Sequence, residues 1–307
     1  MRPLRPGDRV QLVAASSALL GEAAAERLRA GCAVLASWGL RMPSSEELSA
    51  RWLERHWGYL AGSDRQRLAD LAAEPDGAVA PLLACVRGGW GSARLLEHRP
   101  PLAATWLLGF SDVTSLLWAH SARGLAGAIH GPLLTTLAAE PAWSQKRLRQ
   151  LLFGEPVAAL QGEGWRGGTV CGPLLVGNLT VATHLLGTPL MPPLQGAILV
   201  LEDVGEAPYR IERMLTHWRL SGALQQLAGI GFGEFSGCDD EGDAAATAEQ
   251  AAGRRFSLQQ VLQERTADLG IPVVANLPVG HGVGNAALPL GRLARLDGDA
   301  GSLDLLT

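Results

Sequence analysis

Little in this chain marks it for a membrane, a nucleic acid, a metal or a disulfide framework. No apolar run reaches the roughly eighteen residues that a bilayer-spanning helix needs, so no transmembrane span is expected. Lysine and arginine are scattered rather than clustered. With a formal net charge of -4 and a pI near 6.0, they leave no footprint for nucleic acid, and a small or peptide-like ligand is the expectation. The four cysteines, Cys32, Cys85, Cys171 and Cys238, lie far apart without a C-x-x-C pair. Such usage argues against a disulfide scaffold and fits reduced thiols in a cytoplasmic protein. There is no H-E-x-x-H, and the acids at 238–243 lack the closing Glu of a calcium loop, so neither a metal nor a cofactor is expected. No repeat of fixed period occurs. The opening MRPLRPGDRVQLVAASSALLGEAAAE has the arginines and alanines of a secretory leader. Asp8 and Arg9 before a short apolar segment, and Ser16 and Ser17 before a helical pattern, fit a first strand and helix better.

What is present is apolar and periodic. A chain of 307 residues with 47% hydrophobic content can bury a large core, and two domains are expected. Residues 9–15 read as a buried strand and 21–38 as a helix. An irregular stretch runs to Gly62, and Ser63 then caps a further helix. The apolar PLLACVRGG, a helix near Ser92 to Glu97 and the strand TWLLGF continue an alternation that predicts a parallel, doubly wound sheet covered on both faces. The character changes at 141–168, where the Gly-rich, polar QGEGWRGG suggests a linker between domains at 1–140 and 169–307. In the second domain, strand-like runs at Ala197–Leu201 and Leu227–Phe232 flank a helix near Tyr209–Trp218. The acidic, Ala-rich stretch 238–254 reads as a solvent-facing, mobile insertion.

Three features carry chemistry. The run TWLLGFSDVTSLLWAH drives a strand into a tight turn and then a helix, which holds Ser111 at a strand-to-helix corner beside free N–H groups, where a nucleophile belongs. The alternative is that Ser111 only N-caps the helix. In AILVLEDVGEAPYRIERML an apolar strand ends at Glu202-Asp203. An acid there is costly unless paired, although the two carboxylates could simply mark where the strand meets water. His281, between two glycines in LPVGHGVG, is the best-placed general base. Of the other six histidines, His120 and His217 lie in helical patterns, His184 follows an apolar helix, and His56 and His98 sit in polar stretches. Ser111, Glu202 and His281 would form a triad in the chain order serine, acid, histidine. That order also occurs in α/β-hydrolases, but GFSDV is not their G-x-S-x-G elbow. In CVRGGWGSARLL the backbone N–H of Gly89 could stabilise an oxyanion together with that of Asp112; the segment lacks the spacing and lysine of a P-loop.

With these residues in place the sequence resembles the serine LD-carboxypeptidase family, which includes muramoyl-tetrapeptide carboxypeptidases and the microcin C self-immunity peptidases. The resemblance rests on YLAGSDRQRLADL at 59–71, RGGWG at 87–91, GFSD at 109–112, IHGP at 129–132, GNLT at 177–180, LEDVGEAPYRIER at 201–213 and LPVGHG at 277–282. It implies a metal-independent serine peptidase with Ser111, Glu202 and His281 as triad and Gly89 and Asp112 as oxyanion donors. It also implies a flavodoxin-like or glutamine-amidotransferase-like α/β domain followed by a smaller β-rich α/β domain, in a homodimer. The implied substrate is a cytoplasmic murein tetrapeptide that loses its terminal D-Ala in peptidoglycan recycling. An exopeptidase must recognise a free carboxylate, for which Arg87 and Arg210 are candidates. His130 and Asn178 would shape the site. Trp90, where murein-directed members often carry tyrosine, keeps open an aminoacyl-nucleotide substrate whose base would stack on the indole. Outside this family lie a non-catalytic peptide-binding protein and an amidotransferase-like enzyme with Cys85 as nucleophile. Retention of all three triad residue types speaks against the first, and the position of Cys85 within a strand against the second.

Overall fold

The computed structural model describes residues 1–73, 77–239 and 256–306, which divide into two compact units. The first comprises Met1–Ala158, Thr188–Pro192 and Val283–Gly291. Four strands, β1 (Val10–Val13), β2 (Leu82–Cys85), β3 (Trp106–Gly109) and β4 (Ala128–His130), pair in parallel in that order. Every residue in them is buried, which is why they read as continuous apolar runs rather than alternating ones. Two polar residues lie among them, Gln11 and His130; Gln11 donates through its amide to the carbonyls of Asp70 and Ala72 at 2.7 and 2.9 Å. A short antiparallel strand, β11 (Leu288–Pro289), covers the free edge of β4.

These four strands run in sequence order, and the chain after the first helix returns to the far side of β1, where Arg41 bridges Arg9 in parallel, its N–H donating to the Asp8 carbonyl and its carbonyl accepting from the Val10 N–H. The expected parallel α/β sheet is what forms. Alternation of strands and helices was legible, but the order in which strands pair is set by tertiary contacts that periodicity does not record. Helix α1 (Glu22–Ser37) crosses α5 (Leu134–Leu137) at Gly31, where an added Cβ would lie 1.8 Å from the Leu134 carbonyl oxygen. Helix α2 (Ser45–Arg51), capped by Ser44, forms within the stretch expected to be irregular. Helix α3 (Asp64–Ala69) carries the expected Ser63 cap as a full capping box with Gln66.

The second unit comprises Ala159–Gly187, Pro193–Gly282 and Arg292–Thr307. Its sheet contains β5 (Leu160–Gln161), β6 (Glu163–Arg166), β7 (Thr169–Asn178), β8 (Ile198–Val204), β9 (Gly229–Ser236), β10 (Val273–Ala275), β12 (Leu293–Asp297) and β13 (Ser302–Leu305). The order is β5-β13-β12-β7-β8-β9-β10-β6, parallel from β7 to β10 and antiparallel on the flanks. Helices α7 (Leu179–Thr183), α8 (Pro208–Leu220) and α9 (Leu258–Thr266) complete it.

The expected linker at 141–168 is instead ordered structure. It holds α6 (Ala142–Phe153) of the first unit and then β5 and β6 of the second, and the units change at Ala158/Ala159. Its polar composition misled because β6 is an edge strand with three of its four residues exposed. Nor is 169–307 continuous, since the apolar Ala286–Leu290 stretch returns to the first sheet. Of the insertion expected at 238–254, Cys238 is buried and Asp239 exposed; the remainder lies outside the described residues.

Candidate active site

In the first unit the chain leaves β3 at Gly109, and Ser111 adopts φ 61 before a single 3-10 turn leads into α4 (Thr114–Ala122). A serine in the left-handed region costs on the order of 1–3 kcal/mol and persists only where its surroundings impose it. The residue in the N-cap place of this turn is Phe110, with no side-chain cap bond, so simple capping by Ser111 is not what forms. Two glycines make the corner possible. A Cβ on Gly109 would meet Val113 Cγ1 at 2.7 Å, and one on Gly88 would stand 3.1 Å from Ser111 Oγ.

The Asp112 side chain, buried beneath the corner, ties neighbouring strand ends together. Its carboxylate accepts hydrogen bonds from the Ser16 hydroxyl at 2.6 Å and the Ser92 N–H at 2.8 Å, and its carbonyl accepts from the Ser92 hydroxyl at 2.5 Å. Ser17 holds the glycine loop from the other side. Its hydroxyl accepts from the Trp90 N–H at 3.1 Å, and Gly89, at φ 106, passes so close that a Cβ would fall 2.3 Å from that oxygen. The loop RGGWG is therefore pinned at β1 and β3 with its backbone beside Ser111.

Arg87 is half-buried. It donates to the Ala18 carbonyl at 2.8 Å, and among the described residues no carboxylate pairs with it. Burial, and then the charge of Arg27, pulls its pKa below the ordinary arginine value. Trp90, three residues on in the same loop, is 61% exposed. His130 lies at the end of β4, fully buried and edge-on to Phe110 at 5.6 Å between ring centres, so it packs in the sheet core.

In the second unit β8 carries Glu202 two residues before its end, fully buried, whose Oε2 accepts a 2.6 Å hydrogen bond from His281 Nδ1. This contact commits Nδ1 as donor and leaves Nε2 as the basic nitrogen. Burial of the His281 ring opposes its charge. The hydrogen bond and charge of Glu202, with Asp203 adding to them, outweigh that, and the pKa is raised. Burial likewise raises Glu202, while the hydrogen bond and charge of His281 partly offset the rise. Gly280 and Gly282 permit the approach. A Cβ on Gly280, at φ 122, would lie 2.9 Å from Glu202 Oε2, and one on Gly282 would strike Glu234 Cγ at 2.6 Å. The sequence assigned these glycines to ligand access; what they admit is the two glutamates.

Asn178, at the end of β7 and in register with Glu202, caps α7 by accepting from the Val181 N–H at 3.1 Å, and its amide donates to Asp203 Oδ1 at 3.0 Å. Asp203 is no strand-end charge meeting water, for it is buried and accepts three further hydrogen bonds. Arg210 is exposed on α8, paired with Glu206 and Tyr209, so its charge is already met at the surface. Cys85 lies within β2, where burial first, and then Asp112 and Asp70, push its thiol well above the ordinary range; no thiolate nucleophile forms there. Among the described residues no group of three or more His, Cys, Asp and Glu side chains could hold a metal ion. Sequence reasoning missed the side chains of Asp112 and Asp203. Their one signal was an acid immediately after each of Ser111 and Glu202.

Ser111, Asp112, Arg87, Gly89, Trp90 and His130 thus belong to the first unit, and Asn178, Glu202, Arg210 and His281 to the second. Residues 10–131 match the model of the LD-carboxypeptidase N-terminal domain, and 171–296 that of the LD-carboxypeptidase C-terminal domain. A Synechocystis sp. protein whose name assigns it a provisional carboxypeptidase activity is 46% identical over 307 residues, covering 99% of this chain and 96% of that one. The murein tetrapeptide carboxypeptidase of Pseudomonas aeruginosa is 37% identical over 272 residues, 81% of this chain and 83% of its own. Among solved structures, muramoyltetrapeptide carboxypeptidase from Oxalobacter formigenes superposes with a TM-score of 0.79 at 26% identity, covering 97% of each chain. The microcin C7 self-immunity protein MccF in complex with glutamyl sulfamoyl guanosine reaches 0.79 at 21% identity, covering 100% of this chain and 98% of its own, a likeness of fold alone.

Proposed function

This chain belongs to the LD-carboxypeptidase family and is a serine carboxypeptidase, and from that premise we propose that it removes the terminal D-Ala of a murein tetrapeptide through an acyl-enzyme. The observation that carries the reading is the 2.6 Å Glu202–His281 hydrogen bond, because it orients a basic Nε2 as a serine peptidase requires.

In this scheme His281 Nε2 takes the proton of Ser111 as Oγ attacks the carbonyl of the residue before D-Ala. The N–H groups of Gly89 and Asp112 receive the oxyanion. The intermediate collapses, the C–N bond breaks, and His281 returns its proton to the leaving amine of D-Ala. Water then attacks the acyl-enzyme, again losing its proton to His281, and the tripeptide leaves with Ser111 restored. Glu202 holds the imidazole and stabilises its charged form. Arg87, half-buried and with no carboxylate partner among the described residues, suits the free carboxylate of D-Ala. The same reading makes the enzyme a cytoplasmic homodimer acting on recycled murein. Light scattering on the purified chain tests the dimer.

A second reading rests on Trp90, whose exposed indole, in the same RGGWG loop as Arg87, offers a stacking face for the base of a peptidyl or aminoacyl nucleotide. One experiment separates the readings. The protein and its Ser111→Ala variant are incubated with murein tetrapeptide and, separately, with a peptidyl-adenylate, and products are followed by mass spectrometry. Release of D-Ala that disappears in the variant supports the first. Cleavage of the adenylate alone supports the second, and turnover of neither overturns both.

A further inference from the structure

Asp203 follows Glu202 on β8, one residue before the end of the strand. It is nevertheless 2% exposed, and such a carboxylate is retained only where donors compensate it. Four do so. Oδ2 accepts from the Thr180 N–H at 2.9 Å and the Thr180 hydroxyl at 2.8 Å, while Oδ1 accepts from Asn178 Nδ2 at 3.0 Å and the Val204 N–H at 2.8 Å. The pairing of β8 with β9 shifts register between Leu201 and Asp203, so the geometry changes at Glu202 itself.

The amide of Asn178 is the link between the two acids. Its oxygen is committed to the Val181 N–H, which fixes which way the amide faces. Its nitrogen holds Asp203, and Asn178 itself stands in register beside Glu202 on the neighbouring strand. We propose that Asp203 is a positioning residue for the Glu202–His281 couple, acting through Asn178 to hold the Glu202 carboxylate in line with His281 Nδ1. The charge of Asp203 acts in the same direction, favouring protonated His281. Around the couple, the titratable groups are Glu202 and Asp203 on β8, Cys238 beyond β9, which also feels Asp203, and Glu234, which lies against Gly282.

The inference rests on the carboxypeptidase reading for its kinetic readout but not for its spectroscopic one. Asp203→Asn replaces one acceptor oxygen with an amine that faces two donors, and Thr180→Val removes a single hydroxyl donor while keeping the backbone N–H. For each folded variant the His281 ring is titrated by NMR, and kcat/KM for tetrapeptide is measured against pH. The expected result for Asp203→Asn is a lower His281 midpoint, an acid limb displaced to lower pH by the same amount, and kcat reduced roughly 10- to 100-fold with KM little changed. Thr180→Val shifts both midpoints less and in the same direction. Midpoints that coincide with wild type in folded Asp203→Asn overturn the proposal; if that variant does not fold, coincidence in Thr180→Val does so. Should the wild type turn over no tetrapeptide, the carboxypeptidase reading fails, while the NMR midpoints still decide the role of Asp203.

Discussion

Replacing Gly280 with alanine should misplace His281 without replacing any side chain of the proposed triad. The added Cβ would stand 2.8 Å from Glu202 Cβ, 2.9 Å from Oε2 and 3.1 Å from Cγ. Carbon atoms settle at about 3.5 Å or more, so the loop must retreat by about 0.7 Å. Applied to the 2.6 Å Glu202–His281 contact, that retreat opens it to about 3.3 Å, beyond a strong hydrogen bond. The backbone adds to the cost, because φ 122 strains an L-residue by on the order of 1–3 kcal/mol. Three consequences are expected. Denaturant unfolding should show a loss of about 1–3 kcal/mol. The His281 midpoint should fall, because burial remains while the Glu202 hydrogen bond that raises it weakens. D-Ala release should slow by about 100-fold, the usual penalty for an ångström-scale misplacement. A folded Gly280→Ala protein with the wild-type rate and the wild-type His281 midpoint would refute the reasoning.

Further expectations concern the first unit. Arg87→Ala should raise KM for tetrapeptide by about 10- to 100-fold with a smaller change in kcat, and an amidated C-terminus on the substrate should reproduce much of that loss in wild type. Asp112→Ala leaves the Ser16 hydroxyl and the Ser92 N–H without their acceptor, so it should cost about 2–4 kcal/mol in chemical denaturation and lower kcat. Thiol-blocking reagents should leave the rate unchanged, since Cys85 is buried within β2 with its thiol pushed up; rapid inactivation that tracks Cys85 labelling would reverse that assignment.

Local chemistry was legible because it depends on residues close in sequence. The strand-to-helix corner at Ser111, the capping box at Ser63 and the apolar strand that carries Glu202 all follow from apolar runs and the residues that flank them. The pairing of Glu202 with His281 was anticipated from residue types across 79 positions, and the structure supplies its distance. What escaped was set at long range. Val283–Gly291 crosses back to the first unit because Leu288 and Pro289 complete an edge, and no pattern within that stretch names the strand it will join. The side-chain work of Asp112 and Asp203 escaped for the same reason, as their donors come from other loops and a neighbouring helix. Arg210 misled in the opposite sense, since a cation beside a glutamate one helical turn away has a partner before any ligand arrives.

The return of β11 to β4 also governs the order in which the protein can be finished as it is made. β4 leaves the ribosome early, but its antiparallel neighbour follows about 160 residues later, some 8 to 30 s at ordinary rates of translation. Throughout that interval the edge of the first sheet stands bare, a template on which another nascent chain could add a strand. Because the His281 loop immediately precedes the closing segment, the sheet that bears Ser111 is completed only after His281 has been synthesised. Growing chains thus carry an unguarded edge, and that condition ends within a few residues of the His281 loop.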